Sequence, residues 1–320
     1  DDTARTNPLW QSAGTGTGHF VCVDGFGPVS AEEQAAGLRG HGEAHRQKFE
    51  TVATGRSGSK SYLTVRATLP MVQEVFTRTI ELVDGEHVVA VTSELESLLA
   101  FDRPVNWAEH ATIGAPFLAP GVTVVDLNAG ACQTRFHSQR RGGVPYRLPA
   151  SQAFTWPVAP LAQGGVIDLR PAPGDPMLDH TTCAMDPNNR FSWVTALHLE
   201  KRLLIGWVWR REEFPWTQNW LNYPADGARW ARGLEFSTQP FDVPRRQAVS
   251  TGTLFDTPTY RWLPAKSKIG AKFLMFYTRV PEGFRKVDDV AVETGTLILE
   301  DRVGGRRVTL AATNGLGAQP

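Results

Sequence analysis

Along most of this chain apolar and polar residues alternate in short runs, and sustained spacing at three and four residues is rare. That is the pattern of strands rather than of amphipathic helices. Runs such as Ser61 to Leu69, Val72 to Leu82, His87 to Thr92, Thr195 to Trp209 and Lys272 to Arg279 are rich in Val, Thr, Phe and Trp and are bounded by Gly, Pro, Asn or Asp. Asp84-Gly85, between two of them, is a hairpin signal, because both residues tolerate the left-handed backbone of a tight turn. One short helix is predicted over Ser30 to Arg39, where Ser30 and Glu33 have the capping-box spacing and Ala35, Ala36 and Leu38 follow. The pattern predicts an all-β fold: a large antiparallel β-sandwich with few short helices, since a single open sheet of so many strands would leave its apolar face uncovered.

No Ser/Gly tract or charge block divides the chain, and its 22 prolines and 30 glycines are spread throughout. Residues 1–320 are therefore expected to form a single domain. The 33 Lys and Arg balance 33 Asp and Glu, so the chain has no general attraction to phosphate backbones or anionic lipid. Neither nucleic acid nor membrane is expected as a partner. The longest apolar run, Leu203 to Trp209, is much shorter than a membrane span and is interrupted by Gly206. Residue 1 is Asp and the first methionine is Met71, so the N-terminus reads as processed, by removal of a secretory signal, or as truncated, with periplasmic, secreted and cytoplasmic settings all open. Cys22, Cys132 and Cys183 lack metal-binding or redox spacing. At most one disulfide can form, and the simplest reading is three small buried side chains.

Several segments carry residues suited to chemistry. In Gly40-His41-Gly42-Glu43-Ala44-His45-Arg46, His41 and His45 could chelate a metal if helical, with Glu43 or Glu50 as third ligand, but Gly40 and Gly42 oppose a helix. The alternatives are a polar rim that binds a hydroxylated ligand, or a solvated loop. No metal is predicted, because no third ligand stands at a reliable spacing. From Asn106 onward, an extended chain puts Asn106, Ala108, His110 and Thr112 on one face and Trp107, Glu109, Ala111 and Ile113 on the other. His110 then suits a general acid, since imidazole titrates near neutral pH, or a structural role. Alternation in Arg232 to Phe241 sets Glu235, Ser237 and Gln239 on one face and Leu234, Phe236 and Thr238 on the other. Glu235 is thus either a positioned base or a solvated strand residue.

Six of the ten tryptophans lie between residues 193 and 230. Trp207 and Trp209 share a strand face, whereas Phe214 to Trp220 lacks strand rhythm and reads as a loop carrying aromatics. Flat apolar rings beside amide side chains suit pyranoses. His180 follows Asp179, which either orients it or caps a turn.

Taken in order, Gly40-His41-Gly42, the segment Glu109 to Phe117 around His110, and the strand Gly233 to Phe241 resemble motifs of the aldose 1-epimerase, or galactose mutarotase-like, superfamily. The likeness spans roughly positions 37 to 280 and is that of a divergent member. The aromatic-Phe-Asn pattern usual after the family's catalytic histidine is absent after His110. Alignment on Thr238-Gln239 sets Ser237 at the family's glutamate, with Glu235 two residues earlier on the same face. The resemblance implies a supersandwich of antiparallel sheets with a sugar-binding cleft, and cofactor-free interconversion of sugar anomers. His110 would be the acid and Glu235 the base. His41, Arg46 and His180 would bind hydroxyls, and Trp209 or Trp216 would stack on the ring of a small sugar or oligosaccharide. A non-catalytic carbohydrate-binding protein and a lyase or hydrolase of glycosides are alternatives on the same fold. A hydrolase requires a second carboxylate, for which Glu43, Glu109 and Asp179 are candidates.

Overall fold

The computed structural model describes residues 18–136, 144, 146–225 and 230–317. Among these, the alternating runs pair into two large antiparallel sheets. The ten-stranded sheet begins with Phe20–Cys22 and continues through Ala108–His110, Ala231–Ser237, Trp216–Tyr223, Met177–Met185 and Ala129–Thr134 to three short strands between residues 153 and 168. Thr112–Gly114 also pairs with Ala231–Ser237. The eight-stranded sheet runs Glu50–Ser57, Lys60–Leu69, Glu74–Val83, Val88–Ser97, Lys268–Arg279, Leu203–Arg210, Phe191–His198, Thr123–Leu127. Its first four strands form a meander, and the turn before Val88–Ser97 holds Asp84-Gly85 with Gly85 at φ +74°.

The two sheets pack face to face: Trp107, Leu234 and Phe236 of the first meet Phe76, Trp209 and Phe273 of the second in one continuous core. The opposite face of the eight-stranded sheet is covered as well. Val88, Trp193, Leu204 and Phe276 pack against Leu297, Leu299 and Leu310 of a three-stranded sheet, Asp289–Glu293, Thr296–Asp301 and Arg306–Ala311. Coverage on both sides explains the apolar character of the two halves of the run from Thr195 to Trp209, which the polar Glu200-Lys201-Arg202 separates. That run is a hairpin of two strands, Phe191–His198 and Leu203–Arg210. Gly206, which interrupts it, makes room for a neighbouring ring, because a Cβ there would lie 2.3 Å from Phe276.

The expected helix is Ala31–Ala35, with the Ser30 and Glu33 caps reciprocated. It ends before Arg39 because Gly37, at φ +93°, turns the chain away. One expectation is corrected. The segment read as an aromatic loop contains the strand Trp216–Tyr223, whose residues 216–219 are all buried. A strand covered on both faces loses the alternation by which strands are recognised. Cys132 and Cys183, direct partners in neighbouring strands, form a disulfide, while Cys22 is free, and all three are buried. No helix among the described residues is long and apolar enough to cross a membrane.

Candidate functional site

In an antiparallel pair, directly opposed residues project from the same face. In the ten-stranded sheet Phe20 opposes His110, Gln218 opposes Glu235, and His180 opposes Trp220. The pairing of Phe236 with Glu109, continued by one step, sets Glu235 opposite His110. Leu234, Phe236 and Trp107 belong to the sandwich core. The two-residue period therefore turns Phe20, Cys22, His110, Glu235, Trp220 and His180 to the other face.

His110 is the centre of this face. Its Nε2 lies 2.9 Å from Glu235 Oε1 and its Nδ1 2.9 Å from Thr112 Oγ1. Phe20 stacks on the ring at 4.4 Å between centroids, while His41 and Trp220 meet it edge-on at 5.7 and 5.9 Å. Two glycines make the close approach possible. Gly42 carries the His41 loop across Val23, where a Cβ would lie 2.5 Å from backbone, and Gly233 leaves space for Glu235, whose Oε1 would be 2.6 Å from a Cβ there. On the far side of Trp220, His180 Nδ1 lies 3.4 Å from an Arg135 guanidinium nitrogen and 3.3 Å from Asp242 Oδ1. Arg135 also donates to Asp242 Oδ2 at 2.9 Å. A guanidinium only donates and a carboxylate only accepts, so these two neighbours of Nδ1 favour opposite tautomers. The other ring nitrogen, Nε2, has no partner among the described residues, and the residue is only 4% exposed.

Burial alone would push the Glu235 carboxyl up, but the charge and hydrogen bond of His110, with help from His180 and His41, hold it below the usual carboxylate range. Burial lowers His41, and nearby His110 lowers it further. Burial also lowers His180, against the pull of Asp242. His45 is pushed down to about 4 by burial and by Arg46. Near neutral pH the face therefore presents an ionised carboxylate in contact with His110, ringed by neutral imidazoles and by Phe20 and Trp220. Such a set can move protons on a hydroxylated, uncharged ligand.

Of the residues predicted to meet a ligand, His41, His110, His180 and Glu235 come together. Arg46 is exposed at the edge of the His41 loop, donating to the Gly40 carbonyl at 3.4 Å. Trp209 and Trp216 are fully buried and offer no ring to a ligand. Trp209 stacks on Phe236 inside the sandwich at 4.3 Å, because that strand face belongs to the core. Trp216 shares the face of Trp220, but it is roofed over and its indole donates to the Pro258 carbonyl at 2.7 Å. The carboxylates considered as partners of Glu235 are engaged elsewhere. Glu43 accepts from the Met71 and Val72 amides at 3.0 and 3.2 Å. Glu109 lies within the sandwich, bound to Arg78 at 2.5 Å and His19 at 2.9 Å. Asp179 accepts from Arg147 at 2.6 Å and does not orient His180. Ser237 bonds Gln218 at 2.9 Å, which leaves Glu235 as the carboxylate beside His110.

Sequence reasoning missed Phe20, Cys22, Trp220, Arg135 and Asp242 as members of this face. Only Trp220 had a local signal, its place in the aromatic-rich stretch Phe214 to Trp220. Among the described residues no group of three or more His, Cys, Asp or Glu is arranged to hold a metal ion.

No protein-family model and no curated protein sequence matches this chain. Solved structures do. A candidate aldose 1-epimerase from Klebsiella pneumoniae superposes with a TM-score of 0.62 at 11% identity, over 86% of this chain and 66% of that one, just under two thirds of its length. A galactose mutarotase-like protein from Clostridium acetobutylicum gives a TM-score of 0.54 at 12% identity, covering 82% and 79%. A candidate aldose 1-epimerase from Escherichia coli K12 gives 0.54 at 11% identity, covering 82% and 84%. At these identities the likeness is one of architecture: the chain has the galactose mutarotase-like β-sandwich fold.

Proposed function

We propose that this protein is an aldose 1-epimerase-like isomerase, with residues 1–320 acting as one domain, that interconverts the anomers of a sugar. The observation that carries the reading is the 2.9 Å hydrogen bond between His110 Nε2 and Glu235 Oε1 on the sheet face left free by the core. An ionised carboxylate and an imidazole in contact are the two groups the reaction needs. When sugar binds, its anomeric hydroxyl and ring oxygen take the places these side chains now occupy for each other. Glu235 removes the proton of the anomeric hydroxyl while His110 delivers its Nε2 proton to the ring oxygen. The bond from the anomeric carbon to the ring oxygen breaks, leaving an open-chain aldehyde. After rotation about the neighbouring C–C bond, the ring hydroxyl attacks the other face of the carbonyl, returns its proton to His110, and the new anomeric oxygen recovers a proton from Glu235. The cycle balances with no co-reactant. His41 and His180 hold hydroxyls, Arg46 borders the entrance, and Phe20 and Trp220 lie against the apolar C–H faces. The Cys132–Cys183 disulfide supports a secreted or periplasmic setting, where such bonds persist.

One observation favours a second reading. Glu235 and His110 are only 2% and 9% exposed and already satisfy one another, as they would in a carbohydrate-binding protein that transfers no proton. Exchange NMR or polarimetry on a panel of aldoses and uronates, read against buffer, separates the two. Glu235→Gln and His110→Asn should each lower the rate by about a hundredfold or more while binding survives. The double variant should lose less than the product of the two, because the groups act as a unit. Binding with every equilibration at the buffer rate would establish the binding protein instead. Release of a new reducing end or an unsaturated product from an oligosaccharide would establish glycoside cleavage, with Asp242 as the second carboxylate near the histidines.

A further inference from the structure

His41 and Gly27 hold each other in two directions. The His41 amide donates to the Gly27 carbonyl at 2.8 Å, and the Gly27 amide donates back to His41 Nδ1 at 3.4 Å. The Cys22 sulfur lies 3.5 Å from that same Nδ1. A backbone N–H can only donate, so Nδ1 must be the unprotonated nitrogen, and the neutral ring carries its proton on Nε2. The thiol then has only one role open to it at Nδ1, that of a second donor. A lone pair shared with a second donor agrees with the length of the Gly27 contact.

The parts of this clamp are fixed by the fold. Gly27, at φ +92°, has no room for a side chain, because a Cβ would lie 2.3 Å from the Asp242 backbone. Cys22 is fully buried and opposes Ala108 across the sheet, which turns its sulfur to the face of His110 and Glu235. His41 itself sits at φ +64°, a backbone conformation rarely adopted by residues other than glycine and usually kept only where surrounding contacts over-determine it.

We propose that Cys22 is a positioning residue whose thiol, together with the Gly27 amide, holds His41 as a neutral Nε2–H donor towards the ligand. The inference takes from the isomerase reading only that a ligand binds beside His41. Its consequence for specificity is that the ligand atom meeting His41 must be an acceptor: a ring oxygen, a carbonyl or a hydroxyl lone pair. Burial, with Glu235 and Glu109 nearby, raises the Cys22 thiol well above its usual range, so it remains protonated and able to donate. Around His41, burial, His110 and Arg46 favour the neutral ring, whereas Glu235 and Asp242 favour the charged one. A donor on Nδ1 adds to the neutral side.

The test is ring ¹⁵N NMR of histidine-labelled protein without sugar, with His41→Asn used for assignment. The wild type should show Nε2 protonated and Nδ1 as an unprotonated acceptor. Cys22→Ser keeps a donor and should preserve both the spectrum and the titration midpoint of His41. Cys22→Val removes the donor, so the midpoint should rise and the Nδ1–H form should gain population. KM for a turned-over sugar should rise about three- to tenfold at nearly constant kcat, the loss of one hydrogen bond, and serine should restore it. Cys22→Ala serves the same purpose if valine disturbs the strand. A wild-type ring protonated on Nδ1, or a valine or alanine variant with an unchanged His41 titration, would overturn the proposal. Because the spectra need no substrate, they decide this point even if the protein proves inactive on every sugar.

Discussion

Gly233 stands opposite Trp220 and leaves the Glu235 carboxylate a place that a methyl group would take, 2.6 Å from Oε1. Gly233→Ala has to move that carboxylate away from His110 while touching little of the core. On the isomerase reading turnover should fall by about tenfold or more, as expected when the proposed base is displaced, while Tm shifts by less than about 5 °C. Both are measured on one preparation, and equal losses of activity and folded protein would show that the glycine serves the fold alone. The histidines of the same face make a pH prediction. His41, His45 and His180 titrate below the ordinary 6.5 in the folded chain, His45 at about 4. The unfolded chain therefore binds more protons below 6.5, and stability present above that pH is lost progressively on acidification towards the folded values. His45→Gln should flatten the urea midpoint between about pH 4 and 6.5.

Cys132 and Cys183 oppose each other across two strands that are 51 residues apart in sequence. Cys132→Ser with Cys183→Ser should lower the unfolding free energy by about 2–4 kcal/mol, mainly by releasing the unfolded chain. Urea titration checks this, and an unchanged midpoint would show that the bond does not constrain folding. The helix Ala31–Ala35 and the Asp84-Gly85 turn could be read from the sequence because capping boxes and tight turns are satisfied by residues a few positions apart. Trp216–Tyr223 could not. Its inward residues meet the sandwich core and its outward residues, Trp216 and Gln218, lie under the turns around Pro258 and Pro240. With both faces covered, polar and apolar residues stand on each of them, Thr217 and Asn219 inward and Gln218 and Asn222 outward, and no period of two is left.

The eight-stranded sheet lies between two partners, and the contact that ties its edge strand Thr123–Leu127 to the segment leading into the three-stranded sheet is ionisable. Asp126 Oδ2 accepts from the Val287 amide at 2.9 Å, and burial pushes its carboxyl up to about 6. A carboxyl raised above its ordinary 3.8 is more easily protonated in the folded chain. Its effect is therefore opposite in sign to that of the histidines: stability falls as pH rises from about 4 through 6. Asp126→Asn keeps an acceptor for Val287 and should stabilise the protein at pH 7 by about 1–3 kcal/mol, with the gain vanishing near pH 4. Denaturant titrations at the two pH values decide it, and an equal effect at both would mean that charge is not the cause.

His110 and Glu235 were identifiable from alternation and motif order, because a strand assigns each side chain to one of two faces using only its immediate neighbours. The same local rule marked the apolar run that became Phe191–His198 and Leu203–Arg210. It could not say which tryptophans remain accessible, and Trp209 and Trp216, both plausible by composition, are sealed by elements distant in sequence. Nor could it bring Phe20 and Cys22 beside His110 or Asp242 beside His180. Those contacts depend on Phe20–Cys22 taking the edge next to Ala108–His110, and on the chain after Ser237 folding back over the sheet. Pairing between strands so far apart is selected by the packing free energy of the whole sandwich, and it leaves no periodic trace in either strand. Local sequence therefore set the face of each residue, and long-range packing chose its company.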